Sequence, residues 1–153
     1  MSTFHPGTSV FRNLLLFESV ANVIGGVGML FSPSTSLSFM AKSPALETSG
    51  VALNLIQFCG GLSFALAAPL LLGYPNTATG VASRYAGYVT LGAGEVFLVG
   101  IMGWQYVSGQ SGFSDNFLLG GMAVLGGVLG LRAYTIAIRP DWMGYIKEDS
   151  KSA

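Results

Sequence analysis

Apolar residues along this chain gather into four long blocks, separated by short clusters of proline, glycine, serine and charge. Crossing about 30 Å of hydrocarbon takes roughly 20 helical residues, and each block is that long. The pattern predicts spans from about Phe11 to Phe31, Gly50 to Gly73, Ala82 to Tyr106 and Asn116 to Ile138. Their stops are local: Ser32-Pro33-Ser34, Tyr74-Pro75-Asn76, the loop Ser108 to Gly112, and Arg139-Pro140-Asp141. Pro69 falls inside the second block and is expected to kink it or mark its last turns. The connection from Ser32 to Ser49 is long enough for a short interfacial helix around Leu37 to Met40, and the Ser108 to Gly112 connection reads as polar and flexible. The expectation is an all-α integral membrane four-helix bundle, a single transmembrane domain over residues 1–153 with a tail at 139–153. The first block reads as a retained span and not a secretory signal, because it is long, carries Glu18 and lacks a small-residue cleavage pattern.

Composition agrees with lipid as the solvent. Hydrophobic residues make up 51% of the chain and charged residues only 9%, where a soluble domain spends about a quarter on charge. The 22 glycines suit helices that approach closely in a bilayer. A formal net charge of zero gives no basic surface for nucleic acid. The single cysteine, Cys59, excludes an internal disulfide and a cysteine-based zinc cluster. Arg12, Arg84, Arg139, Lys147 and Lys151 fall on one side of the four spans, and Lys42 alone on the other. By the positive-inside rule both termini are then cytosolic, which fits the endoplasmic reticulum as well as a plasma membrane. Trp104 and Tyr106 at one end, with Tyr134, Trp142 and Tyr145 at the other, suit two aromatic interface belts.

A charge at the bilayer centre costs about 2.5–3.5 kcal/mol on insertion scales, so those that persist have a partner or a task. Glu18 shares a face with Ala21, Asn22, Gly25 and Gly28; Gly50, Asn54, Gln57, Gly61 and Ala65 form a similar stripe in the second span. In the third, Arg84, Tyr88, Gly92 and Glu95 lie on one face. Three polar seams point to a common interior site. Glu18, Tyr88 and Arg132 come out at similar depth, which predicts a Glu18–Arg132 ion pair with Tyr88 beside it. Glu95 lies deeper, near the level of Gln57 and Asn54, with no obvious cation; an unpaired carboxyl there favours its neutral form. Arg132 alternatively snorkels to headgroups. It shares its face with Gly121, Leu125 and Val128, not with the small stripe Gly120, Ala123, Gly127 and Gly130. Asn54 and Gln57 serve equally well as hydrogen-bond glue between helices. Gly126 and Gly130 match the small-xxx-small spacing but say little about a homo-oligomer in a chain this rich in glycine. His5 falls in a tail, and Cys59 reads as a small apolar residue.

No phosphate loop, no zinc-binding histidine pair and no acidic cluster for magnesium chemistry occurs in the sequence. With one histidine, neither a metal nor haem is expected, and no cofactor is implied. Carboxyls, phenols, amides and an arginine remain, which is an acid–base repertoire.

The four-span layout, the midspan acids and segments such as Arg84-Tyr85-Ala86-Gly87-Tyr88 and Gly94-Glu95 give the chain a likeness to known families. It resembles the small hydrophobic four-helix proteins of fungal secondary-metabolite clusters, some of which are membrane-bound epoxide hydrolases or cyclases, and is similar in outline to bacterial DoxX-like proteins. The resemblance implies epoxide opening, hydrolysis or cyclisation on a lipophilic small molecule that arrives through membrane lipids. It transfers no catalytic residue. From the residues, the expected catalytic set is Glu18, Glu95, Arg132 and Tyr88, with Glu95 as acid, Glu18 as base and Tyr88 orienting the oxygen. Asn22, Asn54, Gln57 and Arg84 are the expected substrate-binding groups. Two other classes stay open: a proton-coupled carrier of a small solute, and a non-catalytic scaffold whose polar seam fixes helix register.

Overall fold

A computed structural model describes residues 3–147. In chain order the elements are strand β1 (Thr3–His5), helices α1 (Ser9–Phe31) and α2 (Pro33–Met40), a 3-10 turn (Pro44–Thr48), helices α3 (Gly50–Gly73), α4 (Ala78–Ser108) and α5 (Asp115–Ala137), a second 3-10 turn (Pro140–Met143) and strand β2 (Tyr145–Lys147). Helices α1, α3, α4 and α5 are each long and apolar enough to cross a membrane. The protein is an all-α, multi-pass four-helix membrane bundle.

The helix ends follow from local chemistry. Thr8, Thr77 and Ser114 each accept a backbone N–H of the first turn and so satisfy one of its free donors. Helix α4 stops at Gly109, whose φ of 67° lies in the left-handed region that only glycine adopts without strain. Pro69 does not end α3, which continues through it to Gly73. Helix α2 supplies the short helix expected in the first connection. The Ser108 to Gly112 connection, expected to be loose, is pinned: Ala41 pairs with Phe113, Lys42 N–H donates to the Gly112 carbonyl at 2.8 Å, and Lys42 reaches Asp115 at 3.2 Å.

Large apolar side chains cover the outside of the bundle, Phe17, Phe58, Phe97 and Val107 among them, all at least 70% exposed. In lipid this costs nothing. The interior core is small: Phe11, Leu15, Leu70, Tyr88, Leu91 and Met143. Helix α1 packs along α3, α3 against α4 and α4 against α5, while α1 and α5 scarcely approach each other.

Two features were not expected. Strands β1 and β2 pair antiparallel, Phe4 opposite Ile146, so both described ends of the chain meet at one end of the bundle. His5 is accordingly no free tail residue; it stacks on Tyr145 at 4.3 Å. Lys151, counted above for topology, lies outside the described residues.

Candidate functional site

Helix α4 presents Val81, Arg84, Tyr88, Leu91 and Glu95 to the interior, at steps of three and four residues, the helical period. Glu18 lies on the buried face of α1, and Arg132 lies on that of α5 with Leu118 and Thr135. These faces bring three ionisable groups together. Arg132 Nη2 donates to Glu18 Oε2 at 2.5 Å, and Arg132 Nε donates to both oxygens of Glu95 at 2.9 Å. All three residues are at least nine-tenths buried. The Arg132 guanidinium also lies over the Tyr88 ring, 4.4 Å from its centroid. Gly92 lies against the Arg132 side chain, where an added methyl would make an ordinary contact with Cδ at 3.6 Å.

Part of this arrangement matches the sequence reading and part corrects it. The Glu18–Arg132 pair with Tyr88 alongside is as expected. Arg132 does not snorkel; the small stripe Gly120, Ala123, Gly127 and Gly130 is the exposed face of α5, and the arginine takes the inner one. Glu95 is not without a cation. It is the most completely paired carboxyl of the three-residue cluster, so its expected role as the neutral acid loses its premise. The two acids share a guanidinium where an open chamber was expected.

Among the described residues, three atoms in this cluster have no well-formed hydrogen bond: Glu18 Oε1, Tyr88 Oη and Arg132 Nη1. Native interiors leave few such groups, because each costs about 1–3 kcal/mol. Here they belong to side chains in mutual contact, and they offer one acceptor, one donor and one group that can be either. Two carboxylates against one guanidinium also leave the cluster one positive charge short when both acids are ionised. Unspent polar capacity and missing charge coincide at Glu18 and Tyr88.

The remaining residues singled out in the sequence lie elsewhere. Asn22 donates to the Glu18 backbone carbonyl one turn back, at 3.0 Å. Gln57 donates to the Leu30 carbonyl on α1 at 3.1 Å, as interhelical glue, and does not reach Glu95. Asn54 is exposed, and so are Gly50, Gly61 and Ala65 of its stripe; α3 instead buries Ile56, Gly60, Ala67, Leu70 and Gly73. The second polar seam therefore faces away from the interior. A polar–small stripe identifies a face, but size decides which face a neighbouring helix takes, and Gly60 lets α1 closer.

Arg84 is buried to 1% exposure, yet among the described residues it touches no carboxylate. Its guanidinium donates to the backbone carbonyls of Gly73 (2.7 Å), Pro75 (3.1 Å) and Met143 (2.5 Å) and to Asn76 Oδ1 (3.2 Å). Asn76 Oδ1 in turn accepts from Gly7 N–H at 3.0 Å. Arg84, expected to bind substrate, is thus the rivet that holds the α3–α4 turn, the N-terminal segment and the C-terminal turn together. Nothing in the sequence distinguished it from an interfacial cation. Phe11 lies between the two arginine sites, 5.0 Å from the Tyr88 ring and 5.8 Å from the Arg84 guanidinium.

Two open cavities among the described residues lie apart from the cluster. One of about 230 Å³, almost wholly apolar, lies under α2 and includes Cys59, Leu55 and Phe113. The other, of about 460 Å³, lies beside the C-terminal turn. No family model, no curated protein and no solved structure matches this chain.

Proposed function

We propose that the protein is a membrane-embedded acid–base enzyme acting on a lipophilic small molecule, opening an epoxide by hydrolysis or by cyclisation. One observation carries the reading: Glu18 Oε1, Tyr88 Oη and Arg132 Nη1 are buried, adjacent and unspent. A carboxylate oxygen free to take a proton, a phenol free to give one and a guanidinium N–H free to steady an oxyanion are the parts that epoxide opening needs. Glu95 is a positioning residue that fixes Arg132 through Nε.

The chemistry balances on these groups. Glu18 takes a proton from water or from a hydroxyl of the substrate. The oxygen so freed bonds to an epoxide carbon as the carbon–oxygen bond breaks. The leaving oxygen takes the Tyr88 proton, with Arg132 Nη1 donating to it as charge develops. Glu18 then returns its proton to Tyr88, and both begin the next cycle unchanged. The substrate reaches the site from the bilayer between α1 and α5, the one side of the bundle where adjacent helices hardly meet. With both termini cytosolic, the site lies in the cytosolic half of the membrane, and the endoplasmic reticulum suits such a substrate.

The test is turnover of a panel of long-chain mono-epoxides and epoxy-alcohols by the protein in nanodiscs, read by mass spectrometry. Glu18→Gln and Tyr88→Phe should each lose about a hundred-fold or more while still folding; full activity in Glu18→Gln would eliminate the assignment. A second reading, a non-catalytic scaffold, draws on Arg132 tying α1, α4 and α5 together. It requires that all of these variants differ in stability alone.

A further inference from the structure

At the end of the bundle where β1 and β2 meet, the cavity of about 460 Å³ opens between the first turns of α4 and the C-terminal segment. Buried Val81 and Met143 form its floor, and the phenol side chains of Tyr85 and Tyr145, both more than half exposed, line it with Pro140 and Gly144. Among the described residues one ionised side chain lines it, the Asp141 carboxylate, and no lysine or arginine does.

The lining is held in place from behind. Tyr145 stacks on His5, and Arg139 donates to both oxygens of Asp141 at 3.1 and 3.0 Å. Gly144, at φ 76°, turns the chain between floor and wall; a side chain there would strike the His5 carbonyl oxygen. Arg84 anchors the floor through the Met143 carbonyl.

Charge and surface select the occupant. Phosphate alone would meet the Asp141 carboxylate, and the Arg139 guanidinium beyond the lining is already bonded to both Asp141 oxygens. Plain hydrocarbon would leave that carboxylate beside lipid tails. A cation whose charge is spread over methyl groups satisfies both the aromatic surfaces and the acid, and quaternary ammonium is the chemistry that aromatic sites select. Next to the cavity, at the end of α5, Tyr134 and Trp142 pack edge to face, and such aromatic residues are enriched at membrane–water interfaces. Arg139 lies just outside the lining, where a phosphodiester attached to the ammonium would fall.

We propose that this cavity binds the headgroup of phosphatidylcholine, with the trimethylammonium among Tyr85, Tyr145 and Asp141 and the phosphate toward Arg139. The site shares no residue with the Glu18–Arg132–Glu95 cluster and does not depend on its function.

The test uses the full chain in micelles, offered equal amounts of phosphatidylcholine, phosphatidylethanolamine and phosphatidylglycerol, with bound lipid read by native mass spectrometry. Phosphatidylcholine should be retained at least about five-fold over each of the others. Tyr85→Ala and Asp141→Asn should bring retention to parity, and Tyr85→Trp, which keeps an aromatic face, should preserve the preference. Tyr85 is exposed, so its variants fold; circular dichroism verifies that. Parity in the unaltered protein or an unchanged preference in Tyr85→Ala would overturn the proposal.

Discussion

Gly26 of α1 and Gly60 of α3 meet backbone to backbone: a methyl built on either one would stand 2.9 Å from the carbonyl oxygen of the other. This close approach sets the spacing of the tightest helix pair in the bundle, and it is why α1 and α3 can bury so narrow a face. Each glycine gives up about 1 kcal/mol of helix propensity to allow it.

Gly26→Ala and Gly60→Ala should therefore destabilise the protein although alanine is the better helix former. Overpacking of this kind costs about 1–3 kcal/mol. Thermal unfolding in detergent checks the prediction. Gly61→Ala, with nothing within 4 Å of its added methyl, is the control and should be neutral or stabilising.

Removing Arg132 leaves two buried carboxyls without their cation. Arg132→Met should cost about 3–5 kcal/mol, the usual result of breaking a buried ion pair from one side. The triple variant Glu18→Leu, Glu95→Leu, Arg132→Met should recover most of that stability in lipid, because hydrophobic replacement of a whole buried ionic cluster is often neutral or better. Denaturant titration of the two variants side by side decides it. A triple variant as unstable as Arg132→Met would show that the cluster itself holds the fold.

Tyr88→Phe separates stability from activity. The buried hydroxyl makes no well-formed hydrogen bond beside the Glu18 carboxyl, so its loss should leave stability nearly unchanged. Turnover should fall at the same time. A structural role for Tyr88 would produce the opposite pair of results.

Arg84→Lys should loosen the cap although the charge is kept. An ammonium cannot copy a planar fork that reaches four oxygens on two segments. Faster amide hydrogen exchange at Trp142 to Lys147 and around Asn76 is the expected signature, with exchange at the centres of α3 and α5 unchanged.

The C-terminal turn should depend on pH only in strong acid. Hydrogen bonds from Arg139 hold the Asp141 carboxyl below its ordinary value of 3.8. Its contribution is complete above the unfolded value and is lost as pH falls through the lower, folded one. Trp142 fluorescence should thus be flat from neutrality down to about pH 4 and change below it. In Asp141→Asn the change should be absent.

How much of this was legible beforehand differed by level. The four spans came within a few residues of their observed ends, because apolar length and Pro/Gly punctuation are local signals. The α4 line Arg84–Tyr88–Glu95 and the Glu18–Arg132 pair were legible too, from periodicity and depth. The orientation of α3 was not: its Asn54 stripe looked like an interior seam, but packing followed Gly60. Glu95 was misjudged because an arginine's reach exceeds the helical turn that separated the two in depth. The cap escaped notice, since strands of three residues and an arginine serving only carbonyl oxygens leave no periodic trace.

The order in which the helices are made bears on the cluster. Both glutamates belong to helices that leave the ribosome before α5 exists, so α1 and α4 must insert while their shared counter-ion is still unsynthesised. Arg132 arrives last, and the Met143 carbonyl that completes the Arg84 rivet arrives just after it. Assembly of this bundle is thus a late event, closed from its final helix backward. A nascent chain arrested before α5 should engage insertion chaperones far longer than its hydrophobicity alone would require.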